Sequence, residues 1–176
     1  MNAIELLNSP IYLLAQFFGL CSIIISLISQ QFKLREKILI AFIFANLFNA
    51  VHFYFLGAIS GLVLAIIGAL RFGIAIKYNS KRWLYIFLII NSIAAYFMFE
   101  GVALTGTSYL AATFIILSSF LKNDSAMRIA IIIGALGWLI YGFLISSIIA
   151  IVANVLFLAS SLIGWYRHSY KISKHI

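Results

Sequence analysis

The chain has 176 residues, of which 65% are apolar and 9% charged, with a formal net charge of +8. Ordinary globular proteins are roughly half apolar and a quarter charged, and a soluble core of this size cannot hide so much apolar surface, so lipid is the expected solvent. A single cysteine, Cys21, inside an apolar run excludes an internal disulfide.

The first residues carry Asn2 and Glu5 but no basic side chain, and no small-residue cleavage site follows. The first apolar run is therefore expected to be a retained helix rather than a removed leader. About 20 apolar residues, within a range of roughly 17 to 25, carry a helix across the hydrocarbon. Seven stretches fit in chain order: Ile11 to Ser29, Ile38 to Leu56, Ala58 to Ile76, Trp83 to Phe99, Val102 to Leu121, Ile129 to Ile145 and Ser147 to Tyr166. The expected fold is an all-α polytopic membrane protein of seven transmembrane helices. The connections at Gly57 and around Ile145 are so short that the helices they join must be antiparallel neighbours.

Basic residues alternate with these stretches. Lys33, Arg35 and Lys37 follow the first span, Lys77, Lys81 and Arg82 the third, Lys122 and Arg128 the fifth, and Arg167, Lys171 and Lys174 the seventh. The other connections carry none, and the remaining basic residue, Arg71, lies inside a span. The positive-inside rule makes the basic side cytoplasmic, with the amino terminus periplasmic and the carboxyl terminus cytoplasmic. This placement reads the net charge as a membrane signal and argues against nucleic acid as a partner. Trp83 and Trp165 sit beside basic residues at helix ends, as interfacial aromatics do.

The first three and last three spans share one layout: a basic connection after the first helix, a sharp turn between the second and third, and basic residues at the end. Phe55-Leu56 and Phe143-Leu144 stand at equivalent places before the sharp turn. Two triplets of odd length run parallel only if one helix separates them. The expected organisation is thus 3+1+3: residues 1–80 as a first triple-helix bundle, 81–101 as a linker helix, and 102–176 as a second bundle. Parallel repeats of this kind occur in transporters, which place their site near the midplane between repeats.

Polar groups inside a span are costly and often functional. Gln16, Gly19, Ser22, Ser26 and Ser29 form a stripe on the first helix, which suits either close helix packing or a water-lined face. Asn46, Asn49 and His52 recur every three residues on the second helix, where interhelical hydrogen bonding and ligand contact explain them equally; His52, near the outer surface, reads better as a satisfied structural histidine. Trp138 with Tyr141 on the sixth helix and Asn154 in the seventh offer an aromatic surface beside an amide, suited to a sugar or nucleoside, with packing as the alternative. Asn91 is a weaker signal on a linker helix. Arg71 lies about five residues, roughly 7 Å at 1.5 Å per residue, from its helix end, so it either snorkels to headgroups or turns inward onto a carbonyl, a helix end or an anionic solute.

The four acidic residues, Glu5, Glu36, Glu100 and Asp124, fall at ends or in loops. No mid-span carboxylate is placed to relay a proton, and no lysine in the seventh helix can form a retinal Schiff base. No paired carboxylates, metal-ligand cluster or activated nucleophile is visible, so neither an enzyme nor a bound cofactor is expected.

Gln30-Gln31-Phe32-Lys33, the stretch His52 to Gly57, Arg71, Trp138 to Gly142 and Gly164 to Arg167 together resemble the YgjV family of bacterial inner-membrane proteins over nearly the whole chain. More distantly, the chain is similar to the SWEET and PQ-loop transporters. That resemblance implies facilitated movement of a sugar-sized solute between two triple-helix bundles, with Asn154 at the position of a solute-binding asparagine. Ser29 stands where a proline would precede Gln30, the second unit lacks a Pro-Gln pair, and Ala65 or Ile66 replaces the partner asparagine. The expected function is a transporter or facilitator for a small polar solute (sugar-like, nucleoside-like or amino acid), with Asn46, Asn49, His52, Arg71, Trp138 and Asn154 at its site. The competing class is a non-transporting membrane protein that organises partners or lipids. The lipid bilayer is the expected environment, and a homo-oligomer is compatible with the sequence.

Overall fold

The computed structural model describes residues 10–170 and is all-helical over that span. Seven α-helices follow in order: α1 Pro10–Ser29, α2 Arg35–Phe55, α3 Ile59–Tyr78, α4 Lys81–Phe97, α5 Val102–Phe120, α6 Asp124–Leu144 and α7 Ile148–Trp165, the last continued by a π-helical turn over Tyr166–Tyr170. Six of them are long and apolar enough to cross a membrane. The helix that falls short is α4, with 17 residues and Lys81 and Arg82 in its first turn. Glu5, Lys171 and Lys174, which entered the charge argument, lie outside the described residues.

The helices overrun the apolar stretches at their charged starts. Whereas apolarity alone starts the second helix at Ile38 and the sixth at Ile129, they begin at Arg35 and Asp124. Each first turn holds one acidic residue, Glu36 or Asp124, which the positive end of the helix dipole favours. The Asn123 side chain accepts a hydrogen bond from the Ala126 amide and caps α6.

The two sharp turns are built alike. In the first, the amides of Leu56, Gly57 and Ala58 donate to the carbonyls of His52, Tyr54 and Phe53; in the second, those of Ile145, Ser146 and Ser147 donate to Tyr141, Phe143 and Gly142. Both pivot on a left-handed residue, Gly57 at φ 69° and Ser146 at φ 54°, which releases the chain from the helix while satisfying its last carbonyls. The equivalence pairs Leu56 with Ile145, one residue later than the Phe-Leu pairs of the sequence suggest. Hydrogen-bond geometry, not side-chain identity, fixes that register.

Consecutive helices pack side by side, with α2 between α1 and α3 and α6 between α5 and α7; α4 lies mainly on α5. The two triplets meet where α1 touches α7 and where α3 touches α5. Glycines allow the tightest approaches. A Cβ on Gly134 or Gly137 would sit 2.7 Å from Ile115 or Ala111, and one on Gly68 would collide with the Asn46 amide. Large apolar side chains such as Phe17, Leu20, Phe44, Ile89, Ile140 and Val152 remain on the outer surface, as lipid-facing helix surfaces do.

The core lies toward one end. Ile38, Leu39, Phe42, Phe72, Ala75, Phe87, Ile116, Phe120, Met127 and Ile131 form one buried cluster. Phe42, Phe72 and Phe87 stand six or seven residues from the basic ends of their helices, about 9–10 Å along the axis. Phe42 and Phe72 stack with centroids 4.9 Å apart, and Phe157 of α7 meets Phe42 at 6.2 Å.

Candidate functional site: a cavity above the aromatic floor

Two connected lobes open above this aromatic layer. The first, about 410 Å³, is bounded by Ser22 and Ser26 of α1, Phe42, Asn46 and Asn49 of α2, Arg71 and Phe72 of α3, Trp138 of α6 and Asn154 with Phe157 of α7. The second, about 460 Å³, runs between α3, α4 and α5 to the helix ends opposite the basic ones, where Gly61, Met98, Glu100 and Thr105 line it. Asn46, Asn49, Arg71, Ala112 and Trp138 border both lobes. Volumes of this size fall in the range of small-molecule sites, roughly 300–1,000 Å³.

Five of the six sequence-derived residues meet here. Asn46 and Asn154 each stand 11 residues from the basic end of their helix, about 16 Å along it and hence near mid-span. Each amide donates to its own helix four residues back, Asn46 to Phe42 at 2.8 Å and Asn154 to Ala150 at 2.9 Å. Asn154 also reaches the Trp138 carbonyl at 3.4 Å, tying α7 to α6. Trp138 packs edge-on against Tyr141, and both rings face the second lobe. Asn49 borders both lobes.

His52 is the exception. Its Nδ1 lies 2.8 Å from the Ala15 carbonyl, and its ring fills the space beside Gly19, where a Cβ would come within 2.9 Å of Nδ1. Three residues per step advance slightly less than a full helical turn, so the Asn46–Asn49–His52 arc rotates away from the cavity, and the last member is spent on joining α2 to α1. It belongs to the packing, not to the cavity wall. The α1 stripe divides likewise: Ser22 donates to the Ala45 carbonyl at 2.8 Å, Ser22 and Ser26 border the first lobe, and Gln16 faces outward.

Arg71 takes the inward course. The helix runs on to Tyr78, two residues past the apolar stretch, so Arg71 stands seven residues from its end, about 10 Å. Its side chain borders both lobes, its guanidinium carbon lies 4.5 Å from the Phe72 ring centroid, and its Nε is buried without a hydrogen-bond partner.

Two further arginines, not singled out by their sequence positions, close the basic end. Arg128 of α6 donates from both terminal nitrogens to the carbonyls of Gln30 and Phe32, just past α1. Arg35 of α2 donates to the carbonyls of Ser119 and Leu121 at the end of α5 and to Ala75 of α3. Gln30 and Phe32 match Ser119 and Leu121 in the register set by the two turns, so each triplet offers equivalent carbonyls to an arginine of the other. Gln31 adds bonds to the Ser160 carbonyl and hydroxyl at 3.0 and 2.9 Å, and Ser160 donates to the Leu27 carbonyl. Arg167 reaches Gln31 Oε1, and His168 Nε2 lies 2.9 Å from the Gln31 carbonyl. The joint is tight: a Cβ on Gly164 would sit 2.1 Å from the Gln30 oxygen.

A family model, Imp-YgjV, described as a bacterial inner membrane protein, matches residues 13–172. The chain belongs to this family. The six apolar helices are therefore set in a bacterial inner membrane, and lipid is the medium of their outer faces. No curated protein and no solved structure matches the chain, so the likeness to SWEET and PQ-loop transporters is not shown. Within this inner-membrane protein, α4 holds to α5 through Asn91, whose amide donates to the Tyr109 carbonyl and Thr113 hydroxyl at 3.3 and 3.1 Å. Asn91 also borders the second lobe. Among the described residues no group of His, Cys, Asp and Glu is placed to hold a metal ion.

Proposed function

We propose that the protein is a transporter or facilitator that moves a small polar solute by alternating access between two triple-helix bundles. In this reading α4 also crosses the membrane, giving seven spans in a 3+1+3 parallel repeat with the basic ends in the cytoplasm. The observation that carries it is the asymmetry of the cavity. Its largely apolar wall carries Asn46, Asn49, Arg71 and Asn154 at mid-span, its far lobe reaches the ends away from the basic residues, and the hydrogen bonds joining the two bundles gather at the basic end. Polar groups at bilayer depth are expensive unless water or a solute uses them.

The pairing of contacts supports the repeat. Shifting the chain by the turn register exchanges the α1–α7 contact with the α5–α3 contact, as a parallel twofold would. It also sets Ala65 opposite Asn154, Asn49 opposite Trp138 and His52 opposite Tyr141, so the two halves of the wall carry different chemistry. Opening the basic end requires that Arg35 and Arg128 leave their carbonyls, while the opposite lobe closes around α3 and α5.

Flux into proteoliposomes tests this reading. Asn154→Ala and Asn46→Ala are expected to abolish uptake of the transported solute while the purified variants remain folded. In a Cys21→Ser background, Asn49→Cys is expected to react with a membrane-impermeant thiol reagent from the periplasmic side first. Labelling from the cytoplasm alone, or no flux of any sugar, nucleoside, amino acid or carboxylate, overturns it.

A further inference from the structure

Three arginines point into this molecule, and only one is left unspent. Arg35 has three backbone carbonyls as acceptors, and Arg128 has two. Arg71 has none among the described residues; its guanidinium lies 4.5 Å from the Phe72 ring centroid, and its Nε is buried without a partner. A cation at this depth without an anion or acceptor is costly. Its neighbours do not supply the missing charge. Among the described residues the first lobe contains no carboxylate, and the second contains only Glu100, beyond the end of α4. Arg71 is 12 residues from the start of α3 at Ile59, about 18 Å along the axis from the end near which Glu100 lies, beyond the reach of an ion pair.

We propose that the cavity takes a solute with a single negative charge, a monocarboxylate on a flat or apolar body, held by Arg71. The proposal rests on the transporter reading and narrows its substrate class. One negative charge follows from the wall: among the described residues Arg71 is the one cationic side chain bordering either lobe, with no lysine or histidine lining it. A dianion would remain half-unpaired in a low-dielectric site. The flat body follows from Phe42, Phe72, Trp138 and Phe157 around the same space. The amides of Asn49 and Asn154 supply polar contacts at its rim. A guanidinium matches a carboxylate with two parallel hydrogen bonds, a geometry that the planar fork offers and an ammonium does not.

Matched ligands separate the alternatives. Purified full-length protein in nanodiscs of zwitterionic lipid is melted with benzoate, benzyl alcohol, glucose or inorganic phosphate, since a ligand of the folded state raises its melting temperature. Benzoate is expected to stabilise at concentrations about tenfold or more below benzyl alcohol, with phosphate and glucose weaker still. Arg71→Gln is expected to erase the preference for benzoate, and Arg71→Lys to retain part of it; should Arg71→Gln fail to fold, Arg71→Lys and the wild-type pair still decide. Equal stabilisation by benzoate and benzyl alcohol, or a glucose response alone, overturns the anion assignment while leaving a solute cavity in place. If anionic phosphatidylglycerol in the nanodisc stabilises in an Arg71-dependent way and benzoate does not, the anion is a lipid headgroup and the proposal fails. No shift with any of them removes both this proposal and the transporter reading.

Discussion

The two ends of this molecule use the same kind of side chain to opposite purposes. At the basic end, arginines are consumed by backbone: Arg128 and Arg35 bridge to carbonyls of the opposite triplet, and Gln31 binds Ser160 across the same joint. In the upper cavity, Arg71 meets a ring face and open space. The difference separates side chains spent on cohesion from one that is not. Polar groups in lipid are tolerated when fully partnered, and one left short of partners is where a bound solute is proposed.

If that contrast holds, substitutions at the basic end are read in stability and those in the cavity in binding. The largest loss of stability is expected from Arg128→Ala, which removes charged hydrogen bonds to two carbonyls at a buried joint. At about 1.5–3 kcal/mol for each bond to a charged group, with partial compensation by water, the net cost is about 3 kcal/mol, measured by denaturant titration in detergent. The same variant is expected to raise the reactivity of a Ser160→Cys probe from the side of the basic helix ends, in a Cys21→Ser background, because the joint opens. A loss of stability without added reactivity breaks the proposal that this end opens in transport.

Gly164→Ala comes next. Its new methyl meets the Gln30 carbonyl, a backbone atom that cannot swing away, and overpacking of this kind costs about 1–3 kcal/mol. Because the clash falls on the same α1–α7 contact that Arg128 secures, the two substitutions together are expected to fall short of additivity. Full additivity in a double-mutant cycle breaks the view of one closed joint.

Much of this was legible in the residues. Apolar length placed each described helix within a few residues, because lipid imposes length on a spanning segment. The duplicated turns were visible as tight connections, though their register was not, since it resides in backbone bonds around Gly57 and Ser146. The mid-span amides pointed to inward helix faces, because polar groups facing lipid are expensive. Arg35 and Arg128 were hidden in plain view. Both counted as orientation charges at helix starts, and nothing in their local sequence says that each reaches carbonyls more than 80 positions away. His52 divides the reading: its position suggested a satisfied structural histidine, as its contact with the Ala15 carbonyl makes it, while its place among the site residues does not follow it into the cavity wall.

A smaller effect is expected from His52→Phe, which sacrifices one hydrogen bond to Ala15 and keeps most of the ring volume beside Gly19. The cost is about 1 kcal/mol, and, under the proposed transport function, flux is expected to stay within about twofold of wild type, since 1 kcal/mol of remote stability is small against any direct contact with solute. A loss of flux with stability intact returns His52 to the site.

The smallest change in stability is expected at Arg71, the residue proposed to hold the solute. Arg71→Met leaves no backbone carbonyl stranded, because Arg71 bonds to none among the described residues, and it replaces a poorly solvated cation with an apolar chain of similar length. Replacing buried charge by well-packed apolar side chains is often neutral or stabilising, so the variant is expected to unfold within about 1 kcal/mol of wild type or above it, while benzoate no longer shifts its melting temperature. Stability spent on an unsatisfied group is the usual signature of a site kept for binding. A drop as large as that of Arg128→Ala reverses the comparison: Arg71 then joins the structural arginines, its partner lies in the protein itself, and the case for a charged solute disappears.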